Sequence, residues 1–424
     1  MGVLTPRSRR RTSTSGTRAL QRAFGVLAAT GVCLASAPPA FAASGIPASA
    51  PAASDECEFG GENLKSTPWS LQRILLDQLR EQATGEGVTV AVIDTGVDAG
   101  NSQLTDALKG PGKSYVGGKG NDDLEGHGTR VAGIIAARPM DGTGFAGIAP
   151  KAKILSFRYT GGADDKHQGN SNTMSDAIKD AVAAGADIIN ISSDTEKRKD
   201  NAILRATVAN AVKDGKGPLI VAAAGNDGAD GKSADTYPAS YPGVLAVAAS
   251  DRNDERAFFS QSGSFVDIAA PGMGMVSTVP KGGQCSSDGT SFAAPYVAGV
   301  AALLKEKHPG WTAEQIATRM QETAQRTGRG PNRYVGWGVV DPIAAVSDDS
   351  TPGSSPQPDP PVKIGAGGAV PMEVTMGESE AEKEQRIALY VLGATLLLVL
   401  IASGSGVALR DWQRKRGGSA GAGG

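Results

Sequence analysis

Ser291, His127 and Asp94 could together cleave an acyl bond, and each stands in a short sequence suited to that task. A serine hydroxyl becomes a nucleophile when a neighbouring base takes its proton. Histidine suits that work because its unperturbed pKa lies near neutrality. The chain of 424 residues has only three histidines, so the choice is narrow. His308, in KEKHPGW, follows a helical pattern and precedes Pro309, which predicts an exposed residue at a helix C-terminus, where the dipole favours a cation. His167 sits in a polar, glycine-rich loop and reads as solvated. His127, in LEGHGTRVAGIIAA, lies between two glycines at the head of an apolar helical pattern. A helix N-terminus disfavours the imidazolium and leaves the ring neutral, ready to accept a proton.

The base needs a carboxylate that keeps one ring nitrogen protonated and stabilises the imidazolium when it forms. Asp94 closes the apolar run VTVAVID, where a buried carboxylate is costly without such a partner. The alternative is an Asx-turn residue ahead of Thr95-Gly96. A single Asp-Thr-Gly could also be half of an aspartic protease, but a second such motif is absent. Ser291 likewise has two readings in SSDGTSFAAPYVAGVAALL. It is a helix N-cap, or a nucleophile mounted where backbone N–H groups already face a developing negative charge. That charge needs donors in place. The Asn226 side chain and the Ser291 backbone N–H can supply them, although Asn226 also reads as a turn residue in Asn-Asp-Gly.

Apolar strand-like runs must position these groups. They are VTVAVID, AKILSFRY from Ala152, ADIINIS from Ala186, PLIVAAAG from Pro218 and VLAVAAS from Val244. Helical patterns starting at His127, Thr173 and Asn201 alternate with them. Continuous apolar strands separated by helices predict an α/β fold with a parallel sheet covered on both faces. Such sheets place their sites at the carboxyl ends of the strands, near a switch in strand order. Asp94 and Gly225-Asn226 both end strand-like runs, so they belong to one edge.

The near-balanced charge, net -2, argues against nucleic acid as a partner. Residues 1–42 read as a signal peptide, with a basic start, an apolar run and an Ala-Phe-Ala cleavage pattern. An uncleaved N-terminal anchor is the alternative; either way the body is exported. Residues 387–409 carry no charge and as a helix span roughly 34 Å, enough to cross a bilayer core of about 30 Å once. Arg410, Arg414, Lys415 and Arg416 follow, and glutamates precede, which places the 410–424 tail in the cytoplasm and the central domain outside. Residues 347–386, rich in Pro, Gly and Ser at their start, read as a flexible linker. Of three cysteines, Cys33 leaves with the signal peptide. Cys57 and Cys285 remain and invite a disulfide in an exported protein, with free thiols as the alternative.

VAVIDTGVD, GHGTRVAGIIAA, AAAGN and GTSFAAPYVAGVAALL, in that order, resemble the Asp, His, oxyanion Asn and Ser motifs of subtilisin-like serine proteases. The order Asp, His, Ser is that of subtilisin. A narrower resemblance is to the mycosins, membrane-anchored subtilases associated with type VII secretion. It rests on the signal peptide, the cysteine-bearing extension, the Ser motif, the Pro-rich linker, one membrane helix and a basic tail. The resemblance implies a three-layer subtilisin-like fold with a mostly parallel sheet in residues 87–346. It also implies that the extension, residues 43–86, wraps the domain rather than blocking the site. The function implied is serine endopeptidase action on polypeptides, in contact with type VII secretion components and the bilayer; no cofactor is expected, and no acidic cluster in the sequence predicts a metal. A mainly structural role in a secretion complex is the alternative. An esterase of the α/β-hydrolase type is excluded by motif and order, since His127 precedes Ser291. Substrate binding falls to Ser192, Ser193, Asp194 and Gly225. Asp194 stands where glycine is common and favours a basic substrate residue or narrows the cleft. Arg130 stands where histidine or alanine is frequent, and Asn101 to Leu104 replaces a His-Pro-Asp-Leu run.

Overall fold

The computed structural model describes residues 57–161, 168–195, 199–360 and 380–417. The signal-peptide reading of residues 1–42, Cys33, residues 43–56 of the extension and His167 lie outside them, as do residues 361–379 of the linker and the end of the tail.

In chain order the first elements are helices α1 (Trp69–Gln72) and α2 (Leu76–Gln82), strands β1 (Thr89–Asp94) and β2 (Lys113–Ser114), and helix α3 (His127–Ala136). Strand β3 (Lys153–Arg158), helix α4 (Ser171–Ala183), strand β4 (Ile188–Ile191) and helix α5 (Ala202–Ala211) follow. Next come strands β5 (Leu219–Ala223), β6 (Val244–Ser250), β7 (Ile268–Pro271), β8 (Met275–Thr278) and β9 (Gln284–Ser287). The chain continues into helices α6 (Thr290–Lys307), α7 (Ala313–Glu322), α8 (Pro342–Ser347) and α9 (Glu380–Gly417).

Seven parallel strands form one sheet in the order β2-β3-β1-β4-β5-β6-β7. Side chains alternate across a strand, and here both faces are covered. Val90 and Val92 enter a core shared with Val131 of α3 and Val297 of α6. Ala91 and Ile93 enter a second core with Met174 and Ile178 of α4 and Leu204 of α5. Two cores on one strand explain why VTVAVID is apolar without alternation. The strand order reverses at β1, which has β3 on one side and β4 on the other. Asp94 sits at the carboxyl end of that strand.

Helix α6 threads the first core and is buried from Thr290 to Leu304. Its small residues permit this: a Cβ on Gly299 would lie 2.7 Å from Ile148 Cβ. The antiparallel hairpin β8–β9 was not expected from the apolar runs. Its second strand, Gln-Cys-Ser-Ser, is polar and half-buried, so it leaves no hydrophobic signal.

Cys57 and Cys285 form a disulfide, with Cα atoms 5.5 Å apart, which joins the extension to β9. From there the extension follows the domain surface. Gly60 N–H donates to Gly282 O, Gly144 N–H donates to Leu64 O, and Trp69 Nε1 donates to Met273 O at 3.0 Å. The linker begins in the same manner, held by Arg319 on Asp348 and Ser350 and by Arg326 on Asp359 at 2.6 Å.

His308 departs from its expected exposure. It is the C-cap of α6, its ring stacks on Trp311 at 3.8 Å, and its side chain is 15% exposed. Burial holds its pKa below the usual value, against the pull of Asp349. Among the described residues one helix is long and apolar enough to cross a membrane: Lys383–Gln413, which contains the expected span.

Candidate active site

Asp94 is 1% exposed. Its Oδ1 accepts from the Thr95 N–H at 2.8 Å and lies 2.7 Å from His127 Nδ1. This approach depends on glycine. A Cβ on Gly128 would lie 2.0 Å from Gly96 O and 3.1 Å from Asp94 Cβ. Gly128, the second glycine of Gly-His-Gly, thus lets the first turn of α3 press against the loop after β1.

A residue that sequence reasoning missed fixes that turn. Gly126, the N-cap of α3, has no side chain to offer, and Asp123 acts in its place. Asp123 Oδ1 accepts from Gly126 N–H at 2.7 Å and Thr95 Oγ1 at 2.9 Å. Oδ2 accepts from the Thr129 N–H at 2.8 Å and Thr129 Oγ1 at 2.6 Å. Thr95 Oγ1 in turn accepts from the Gly128 N–H at 2.9 Å. The available signal was an acidic residue just ahead of a helix start, where the dipole favours it.

Burial works against protonation of His127, but the Asp94 charge and hydrogen bond outweigh it. Arg130 opposes and Glu125 assists, and the net result is a pKa above the ordinary histidine value. The expectation of a ring kept neutral by the helix dipole therefore gives way to the carboxylate.

Ser291 is the second residue of α6, and the N-cap is Gly289. The capping role belongs to Asn226, whose Oδ1 accepts from the Thr290 N–H and from Thr290 Oγ1, both at 2.9 Å. Thr290 Oγ1 accepts from the Gly225 N–H at 3.1 Å. With Oδ1 so engaged, the Asn226 Nδ2 is left for the cleft. A Cβ on Gly289 would lie 2.9 Å from Ser291 Oγ and 3.6 Å from Asn226 Nδ2, so the hydroxyl and the amide converge on one point. Ser291 Oγ makes no hydrogen bond among the described residues, none to His127 included.

Asp94, His127, Ser291, Asn226, Ser192, Ser193, Asp194 and Gly225 all line one cleft of about 630 Å³. The sheet explains the meeting: β1, β4 and β5 are neighbours, and these residues come from their carboxyl ends or from the helices that start beside them. Glu125, Tyr159, Thr160, Gln168, Gly169 and Asp227 also line it and were not anticipated. Tyr159 OH donates to Ser193 Oγ at 2.7 Å, and burial pushes the Tyr159 pKa up, so it stays a donor. Asn190 Nδ2 donates to Ser192 Oγ at 2.8 Å, fixing the other serine. Burial raises the Glu125 pKa, partly offset by His127. The disulfide lies away from the cleft lining, and no described residue of the extension contributes to that lining.

Residues 85–338 match the family model of the subtilases, peptidase family S8. The chain belongs to the subtilase family. Subtilisin amylosacchariticus of Bacillus subtilis subsp. amylosacchariticus is 36% identical over 295 residues, which are 69% of this chain and 74% of that protein. Mycosin-1 of Mycolicibacterium smegmatis is 35% identical over 335 residues, covering 67% of this chain and 74% of the relative. The solved structure of the MycP3 protease from the type VII (ESX-3) secretion system superposes with a TM-score of 0.61 at 32% identity, covering 69% of this chain and 91% of that one. This subtilase is a subtilisin-like serine protease related to the mycosins, and its family match encloses every residue of the cleft.

Proposed function

We propose that this subtilase is an endopeptidase in which Ser291 is the nucleophile, His127 the base and Asp94 the residue that orients the base. Asn226 Nδ2 and the Ser291 backbone N–H serve as oxyanion donors. The observation that carries the reading is the 2.7 Å Asp94–His127 contact in the same cleft as Ser291 Oγ. With Nδ1 bound to the carboxylate, Nε2 is the nitrogen left to accept the serine proton. Oγ then attacks the scissile carbonyl, and the oxyanion falls within reach of the two donors, which need no reorganisation. Collapse breaks the C–N bond as His127 returns the proton to the leaving amine. Water, activated by the same histidine, hydrolyses the acyl-enzyme and restores Ser291. The segments after β4 and β5, with Ser192, Ser193, Asp194 and Gly225, flank the substrate chain.

Residues 87–346 form the catalytic unit, residues 347–386 the tether, residues 387–409 the membrane span and residues 410–424 a cytoplasmic tail. The positive-inside rule orients the domain outward. The kinship with Mycosin-1 and MycP3 supports a place beside a type VII secretion complex. A fluorophosphonate probe should label the full-length protein in membranes and fail on Ser291→Ala. Folded wild-type protein that resists labelling would sink the reading. A mainly structural role is favoured instead if Ser291→Ala restores secretion fully to a deletion strain.

A further inference from the structure

Arg130 lies in the first turn of α3, and the proposed reaction makes no use of it. Its guanidinium is engaged on several sides. Nε donates to Gly126 O at 3.1 Å, the carbonyl directly before His127. Nη1 donates to Ser287 Oγ at 2.8 Å on β9 and stands 3.7 Å from Cys57 Sγ. Cζ lies 5.3 Å from the centre of the Phe292 ring, and that ring lies 5.3 Å from the His127 ring. Phe292 directly follows Ser291. The extension reaches the same place from outside, because a Cβ on Gly126 would lie 2.6 Å from Phe59 Cζ.

We propose that Arg130 is a positioning residue that ties the Cys57–Cys285 bridge to both reacting side chains. It holds the turn that carries His127 through Gly126, and it holds the segment that carries Ser291 through Phe292. A planar guanidinium can donate at its edge and stack with its face at once, which a lysine ammonium cannot. Burying a cation is costly, and this set of partners offsets that cost. The bridge then does more than shorten the unfolded chain. It fixes the hairpin against which Arg130 is braced, so the geometry of base and nucleophile depends on the bridge through this one side chain.

The inference rests on His127 and Ser291 being base and nucleophile, and its test is kept separate from theirs. The full-length protein in detergent is assayed for kcat, KM, pH profile and melting temperature as wild type, Arg130→Lys and Arg130→Met. Arg130→Met should lower kcat by about 10²-fold, the cost of a misplacement of about 1 Å, with KM little changed. The charged groups around His127 are Asp94 from β1, Asp123 and Glu125 from the loop before α3, and Arg130 itself. Removing the one cation among them should also move the acid limb of kcat/KM to higher pH, a charge effect read separately from the loss of kcat at unchanged KM that marks positioning. Arg130→Lys should keep the limb and recover only part of kcat. Replacing both bridge cysteines by serine should lower kcat in wild type but add nothing in Arg130→Met, because coupled sites are non-additive. Wild-type kcat in folded Arg130→Met overturns the proposal, as do bridge and arginine losses that simply multiply. If Arg130→Met does not fold, Arg130→Lys decides: a several-fold lower kcat with an unmoved limb supports the proposal, and wild-type kcat overturns it. A Ser291→Ala variant that stays active would instead overturn the assignment of the nucleophile.

Discussion

Asn226 Oδ1 accepts from the Thr290 N–H at 2.9 Å, so the side chain that caps α6 is also the one that presents an amide beside Ser291. One residue thus ties the helix start to the proposed oxyanion site, and the two roles can be separated. Asn226→Asp keeps the accepting oxygen and loses the donor. It should retain the melting temperature of wild type and lose about 10² to 10³ in kcat, the loss found for one such donor in subtilisin. Asn226→Ala should lose the same rate and about 1 kcal/mol of stability besides, as a missing cap does. Thermal melts and kcat on one peptide substrate check both. An aspartate variant with wild-type kcat would remove Asn226 from the oxyanion site.

The pH dependence follows from the sign of the His127 shift. The base must be neutral, so activity is lost as pH falls through a pKa that lies above the ordinary value of about 6.5. Stability runs the other way. The gain from pairing with Asp94 is complete below about 6.5 and is lost as pH rises through the folded pKa. Asp94→Asn removes the raising charge and leaves the burial that lowers. Its acid limb should therefore shift to lower pH, with kcat down about 10⁴-fold. A limb that stays in place would mean Asp94 does not govern His127.

How far this site was legible in the sequence depends on the distance each interaction spans. VTVAVID could be read as a buried strand because both faces of β1 meet apolar helices, and Asp94 and Asn226 could be placed at one edge by the rule for parallel sheets. The Asp123 network could not. Its Gly126 bond is local, but its value lies in Thr95, which only the fold brings near. Arg130 stood out as a departure from a motif, yet its partners are Ser287 on the half-buried polar strand β9, which leaves no apolar pattern, and Cys57, which the disulfide brings there from the extension. His308 failed for a related reason. Stacking on Trp311 is a contact between side chains, and no helix-end rule anticipates it.

Gly128→Ala reverses an ordinary expectation. Glycine within a helix costs about 0.5–1 kcal/mol relative to alanine, so alanine would normally stabilise. Here the new Cβ would stand 2.0 Å from Gly96 O, and real contacts of this kind do not fall below 3.0 Å. The turn carrying His127 must retreat by about 1 Å, which costs on the order of 10² in rate. Lower kcat together with a lower melting temperature is expected. An alanine variant that is more stable and fully active would show that the turn has room to spare.

Asp123 should prove a positioning residue despite having no place in the reaction. Asp123→Ala leaves the N–H groups of Gly126 and Thr129 without their acceptor, at about 1–3 kcal/mol for each that stays unsatisfied. The melting temperature should drop and kcat should fall while KM holds. Asp123→Asn, with one accepting oxygen in place of two, should lie between. Wild-type kcat in a destabilised alanine variant would confine Asp123 to stability.

Asp194 offers a test of substrate preference whose size is bounded in advance. The described cleft lining includes the carboxylates of Asp94, Glu125, Asp194 and Asp227 and neither lysine nor arginine. Asp194 follows β4, and Gly225 and Asn226 follow the neighbouring β5, so all three line the proposed substrate cleft. A basic substrate residue there gains an ion pair in a site open to water. Such pairs contribute about 0.2–1 kcal/mol, so Asp194→Gly should lower the preference for Lys over Gln in kcat/KM by no more than about fivefold. The change should shrink in high salt, since exposed charges are screened. Matched peptide pairs measured at two ionic strengths decide between charge and shape. A preference that shifts equally at both strengths would mean that Asp194 acts by narrowing the cleft.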